Sequence, residues 1–145
     1  VRGVLPALLA EAPQCVFVAN RTPERAQQLA ERWSSDAIAV SGGGYHDVPL
    51  VAWDVVINGT STGLSNEMPA LSSSMIFAPQ CRGYDMAYGR APTPFMAWAR
   101  EQGVAEVMDG LGMLVEQAAE SFFLWRGEYP ETPSVVSSLR AESGD

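Results

Sequence analysis

The sequence predicts an α/β fold built on a doubly wound parallel sheet. Three observations carry this. Short apolar runs suited to buried strands alternate with longer segments of helical periodicity, the pattern made by parallel strands joined through helical crossovers. A Thr-Pro pair opens a helical segment at Thr22-Pro23, Thr93-Pro94 and Thr132-Pro133; threonine suits an N-cap and proline the first helical position. The chain has 145 residues, 47% of them hydrophobic, enough for one domain with a core.

Val4–Ala12 reads as the tail of a helix. Cys15–Ala19 is continuously apolar, as expected of a strand buried on both faces. Ala26, Leu29, Ala30 and Trp33 then recur at i, i+3, i+4 and i+7, one helical face. Ala37–Val40 predicts a short strand, and Ser41–Gly44 a flexible stretch after it. Asp54–Asn58 is the next buried strand; Gly59–Ser74, turn-rich and holding Pro69, is a loop with at most one helical turn. Cys81–Met86 predicts another strand, Pro94 to Gly103 a helix through Phe95, Trp98 and Ala99, and Ala105–Met108 a short strand. Leu111, Leu114, Val115, Ala118, Phe122 and Trp125 mark a long helix over 110–127, stopped by Gly127. A last helix covers 133–142, and Ser143–Asp145 should fray.

The formal net charge is −8, against the basic footprint that nucleic acid demands, and reads as a solvated acidic surface. All nine basic residues are arginines, so any catalytic lysine must come from outside this chain. The single histidine, His46, excludes a metal site built on several imidazoles. No apolar run approaches the length of a membrane span, and Val1–Pro6 is too short and weakly charged for a signal peptide. Cys15 and Cys81 lie in apolar strand-like runs and are expected to be buried, reduced thiols of a cytosolic protein.

Candidate chemistry lies where strands end. After Cys15–Ala19 stand Asn20 and Arg21, with Arg25 one helical turn on. In dinucleotide-binding α/β domains an acidic residue at such a position binds the ribose 2′-OH of NAD, and an arginine accepts the 2′-phosphate of NADP. Here no carboxylate occupies that position; Arg21 and Arg25 can bracket a phosphate, with the Thr22 hydroxyl and a helix N-terminus beside them. The alternative is an ordinary helix start with two surface arginines; the α/β context favours NADP. Asn58–Gly63, with Thr60 and Ser61, is a small-residue loop that suits a cofactor or is a plain turn.

In Tyr84–Tyr88, Asp85 can bond backbone, Met86 can cover a nicotinamide ring and Tyr88 can donate to a polar substrate; each has an equally good core or surface reading. Gly110 and Gly112 open the long helix, where each costs about 1 kcal/mol against alanine. They make sense if a flat ligand lies against the backbone. Gly110, Met113, Gln117 and Ser121 form a small, soft, polar second face, either lining a cleft through Gln117 or shared with a neighbouring domain.

Together these segments resemble shikimate dehydrogenase in order and spacing over nearly the whole chain. The matching blocks are Asn20-Arg21-Thr22, Asn58–Gly63, Tyr84–Tyr88, Pro92–Phe95, and Asp109–Val115 with Gln117–Ala119, the last being the most diagnostic. The resemblance implies a cytoplasmic, two-domain enzyme of chorismate and aromatic amino-acid biosynthesis that reduces 3-dehydroshikimate to shikimate with NADPH. It implies that Asn20, Arg21, Thr22 and Arg25 hold the 2′-phosphate, that Thr60, Ser61, Met86 and Gly110 also contact the cofactor, and that Tyr88 and Gln117 reach shikimate. It implies no nucleic-acid or membrane partner and leaves a homodimer of the full-length enzyme open.

In the family an N-terminal domain supplies a Lys/Asp pair, and a strand and glycine-rich phosphate loop precede the segment resembling Val1–Val4. Neither is in this chain, and Val1 is no initiator. The expectation is a partial NADP-binding domain over 1–145. It would be a Rossmann-like sheet lacking its first strand, divided into two fragments, with helices 110–127 and 133–142 turned towards the absent domain. The chain alone is expected to be inactive. Two other readings compete: a quinate/shikimate dehydrogenase paralogue, which would favour an acid near Asn20, and a non-catalytic nucleotide-binding module, which would not need Tyr88 and Gln117.

Overall fold

The computed structural model describes residues 2–35, 37–60, 68–69, 71–72 and 74–143. The elements, in chain order, are α1 (Leu5–Ala10), β1 (Cys15–Ala19), α2 (Pro23–Trp33), β2 (Ala39–Gly43), β3 (Ala52–Asn58), β4 (Ile76–Asp85), α3 (Pro94–Glu101), β5 (Glu106–Met108), α4 (Leu111–Arg126) and α5 (Pro133–Ser143). The chain divides into two compact units, Val1–Ala52 with Pro69–Ile76, and Trp53–Met68 with Phe77–Asp145. The strands form two separate sheets, β1-β2 and β3-β4-β5. The alternation of strand and helix is the predicted α/β class.

In the first unit β1 and β2 pair in parallel, from Cys15 opposite Ala39 to Ala19 opposite Gly43. The crossover between them is α2, whose apolar residues pack with those of α1 and β1: Leu5, Val18, Ala26 and Leu29 form one buried cluster. The expected flexible stretch Ser41–Gly44 is corrected here, since Ser41–Gly43 continue β2. The reason is steric. A Cβ at Gly42 would stand 2.4 Å from the Ala26 carbonyl oxygen, so glycine lets α2 lie directly on the strand. Gly44 is fixed as well, its N–H donating to Asp47 Oδ2 at 2.7 Å.

In the second unit β4 and β5 are parallel, with Arg82 opposite Glu106 and Tyr84 opposite Met108. β4 begins five residues before the expected start and passes through Pro79. Proline lacks the N–H a ladder needs; the β5 pairing begins only at Arg82, past Pro79. Phe95, Met96 and Ala99 of α3 are buried, with Trp98 against Phe77 and Phe95 at 5.9 and 5.6 Å between ring centroids. Leu111, Val115 and Ala119 give α4 its buried stripe, and Gly127 ends it at φ +76°, a left-handed value that favours glycine.

Several expectations about burial are overturned. Cys15 is exposed, because it stands at the end of a strand in a two-stranded sheet; Cys81 is buried. Burial, then the charge of Asp54, pushes the Cys81 thiol up. Trp33, at the end of α2, is also exposed. Neither β1 nor β3 is buried on both faces. Gly144 and Asp145, expected to fray, lie outside the described residues, while Ser143 belongs to α5. Among the described residues no helix is long and apolar enough to cross a membrane.

Candidate functional site

The end of β1 is organised by Asn20. Its backbone N–H donates to the Gly43 carbonyl at 3.0 Å, tying it to the end of β2. Its side-chain Oδ1 accepts from the Thr22 N–H at 2.9 Å. Thr22 is the N-cap of α2, as its sequence position suggests, but its hydroxyl makes no capping bond. Asn20 satisfies the Thr22 N–H just before the helix, and the Arg25 N–H donates to the Thr22 carbonyl at 3.1 Å, so the Thr22 hydroxyl is not committed to the helix end. Arg21 and Arg25 are exposed, and among the described residues neither is in an ion pair. Two unpaired guanidinium groups, a hydroxyl and the start of an eleven-residue helix form a donor set that fits a phosphate dianion, offset in part by Glu24 in the same turn.

In the second unit the strand ends converge on Asp85. This carboxylate is almost wholly buried, at 1% exposure. Its Oδ1 accepts from Asn58 Nδ2 and from the Ala87 N–H, both at 3.0 Å. Its Oδ2 accepts from the Thr93 hydroxyl at 2.5 Å. Thr93 in turn caps α3, accepting from the Met96 N–H at 3.2 Å. The Asn58 Oδ1 takes both the N–H and the hydroxyl of Thr60, at 3.1 and 2.7 Å. One buried anion thus joins the end of β3, the segment after β4 and the start of α3.

The segment 86–88 is held from two sides. The Met86 N–H donates to the Asn58 carbonyl at 2.9 Å, and the Ala87 carbonyl accepts from the Gly110 N–H at 2.9 Å. A Cβ at Gly110 would stand 2.2 Å from the Met86 carbonyl oxygen. Glycine at 110 thus has a steric reason inside the chain. Gly112 differs: nothing stands within 4 Å of its Cβ position. Met86 is half-buried; Tyr88 and Gln117 are exposed. Ser121 returns its hydroxyl to the Gln117 carbonyl at 3.0 Å. Ser61 lies outside the described residues.

Asp109, before α4, is also buried. It accepts from the Leu111 N–H at 3.2 Å and takes both terminal nitrogens of Arg140, on α5, in a bidentate pair. Tyr84 stands close by. Burial raises its phenol, a hydrogen bond from the Met113 backbone lowers it, and Asp109 raises it, with a net upward shift. A cleft of about 380 Å³ opens beside this pair, lined by Pro92, Met96, Arg100, Met108, Asp109 and Arg140 among others, and by none of the sequence-predicted site residues. Arg140 had no signal in the sequence, since its partner lies 31 residues away. Asp85 had one, a carboxylate at the end of a strand, but not its three donors.

Residues 110–140 match the Shikimate 5′-dehydrogenase C-terminal domain. Over 142 residues the chain is 54% identical to the shikimate dehydrogenase (NADP(+)) of Alkalilimnicola ehrlichii, covering 98% of this chain and 52% of that protein. It is 51% identical to the enzyme of the same name from Chromohalobacter salexigens, covering 98% and 51%. Among solved structures it resembles a chorismate mutase/shikimate 5-dehydrogenase fusion protein from Clostridium acetobutylicum, with TM-score 0.76 and 25% identity over 98% of this chain and 50% of that one. It also resembles shikimate 5-dehydrogenase from Thermus thermophilus, solved with NADP(H) and shikimate, with TM-score 0.70 and 30% identity over 94% and 49%. The chain spans about half the length of the curated relatives it matches. By sequence and by fold, nearly the whole of this chain is similar to about half of proteins named shikimate dehydrogenase, and residues 110–140 match the C-terminal domain of that family.

Proposed function

We propose that this chain is the nucleotide-binding portion of an NADP-dependent shikimate dehydrogenase, acting with a substrate-binding portion in the reversible reduction of 3-dehydroshikimate to shikimate. The observation that carries the reading is the β1–α2 junction. There Asn20 takes up the Thr22 N–H, while Arg21 and Arg25 stay unpaired among the described residues and no carboxylate ends the strand. Arg21 and Arg25 supply the charge that holds the 2′-phosphate, and Asn20 and Thr22 shape the turn around it. Thr60 and Ser61 contribute small polar contacts to the cofactor, and Met86 and Gly110 line its nicotinamide. Tyr88 and Gln117 hydrogen-bond the substrate and orient it.

The nicotinamide, when bound, supplies the hydride; the protein supplies orientation and a proton. The chain holds no lysine, so a Lys/Asp pair of the family's kind comes from outside it, and the chain alone has no dehydrogenase activity. Such an enzyme is cytoplasmic and works in aromatic amino-acid biosynthesis, and a homodimer is compatible with it.

The test is Arg21→Ala in the protein expressed from its full coding sequence. Losing a charge-assisted phosphate contact, about 1.5–3 kcal/mol, is expected to weaken NADP by about 10- to 100-fold and leave NAD nearly unchanged. Equal weakening of both cofactors would refute the 2′-phosphate assignment. A wild-type protein without shikimate-dependent NADP reduction would refute the enzymatic reading.

A further inference from the structure

We infer that Asp85 is a positioning residue for the substrate-contacting segment 86–88, an inference that rests on the dehydrogenase reading for Tyr88. Tyr88 is half exposed and follows a strand end, where a side chain would ordinarily wander. Its approach is instead fixed at consecutive backbone groups. Met86 N–H is held by Asn58, Ala87 N–H by the Asp85 carboxylate, and the Ala87 carbonyl by Gly110 N–H. The Asp85 carboxylate is the one side chain in this set, and it also holds Asn58 and Thr93.

Two features assign it to positioning and not to chemistry. Asp85 is 1% exposed, so it has no face for a substrate. Among the described residues its hydrogen bonds reach three places, two of them beside candidate site residues: Thr60 through Asn58, and Met86 and Tyr88 through Ala87; the third, Thr93, fixes the start of α3. A neutral acceptor with one oxygen could hold two of these groups. The carboxylate, with two oxygens, holds all three at once.

The experiment compares Asp85→Ala, Asp85→Asn, Thr93→Val and Thr93→Ser in the protein expressed from its full coding sequence. Asp85→Ala is expected to lower kcat/KM for shikimate about 100-fold, the scale of an ångström-sized misplacement. Affinity for 2′,5′-ADP, a probe of the β1–α2 junction alone, should stay at the wild-type value. Asp85→Asn, whose amide oxygen still accepts from Asn58 and Ala87 but which has no second acceptor for the Thr93 hydroxyl, should recover only part of the loss. If Asp85→Ala does not fold, Thr93→Val, which keeps shape and removes the hydroxyl, should lower kcat/KM while Thr93→Ser does not. Variants that melt earlier yet keep the wild-type kcat/KM overturn the proposal. An inactive wild type overturns the dehydrogenase reading instead. Amide exchange at Ala87 and Tyr88 then decides: faster exchange in Thr93→Val supports positioning, and unchanged exchange overturns it.

Discussion

Gly110 and Gly112 stand one residue apart and are glycine for different reasons. At 110 the Met86 carbonyl fills the place a Cβ would take; at 112 there is open space inside a helix. Gly110→Ala should therefore destabilise the chain by about 1–3 kcal/mol, because backbone must move to admit the methyl. Gly112→Ala should stabilise it by about 0.5–1 kcal/mol, through higher helix propensity and a stiffer unfolded chain. Denaturant unfolding of the two variants checks this, and two changes of the same sign would contradict it. A ligand resting on the Gly112 side would make the stabilising substitution harmful to binding while it helps folding. The sequence displays both glycines equally. Only the fold separates them, because Met86 comes from the segment after β4, 24 positions upstream.

At the level of elements, the helix starts were legible and the capping partners were not. Thr22 and Thr93 occupy N-cap positions before proline, as their sequence context predicts. Of the two, only Thr93 caps with its side chain; at the other junction the Arg25 N–H donates to the Thr22 backbone carbonyl instead. The glycines of β2 were misread for a related reason: flexibility is a local property of glycine, but close approach by α2 is a tertiary one. The α4–α5 pairing likewise depends on long range. Arg140→Ala would leave the buried Asp109 without its bidentate partner, and the half-exposed arginine limits the loss to about 1.5–3 kcal/mol. A fall of several degrees in Tm is expected, with Arg140→Lys recovering only part of it, since an ammonium cannot match the fork. An unchanged Tm for Arg140→Ala would remove the pair from the account of α5.

At the scale of the whole molecule, the alternating α/β order and the five sequence blocks were readable because each depends on neighbours in sequence. The division of the strands into two sheets was legible too, from the strand order expected of the family. What escaped was the buried polar wiring, which joins residues 8 to 31 positions apart.

The aromatic residues carry a further consequence. Trp125, on α4, is 80% exposed, while Trp98 is caged between Phe77 and Phe95. An indole in water emits at longer wavelength and is open to collisional quenchers; a half-buried one packed between rings is less so. Acrylamide should extinguish the red edge of the emission before the blue edge, and Trp125→Phe should remove the larger part of that red edge, Trp33 at 38% exposure keeping the rest. The chain thus carries a built-in optical gauge on α4: whatever seats there will shift its light towards the blue without any added dye.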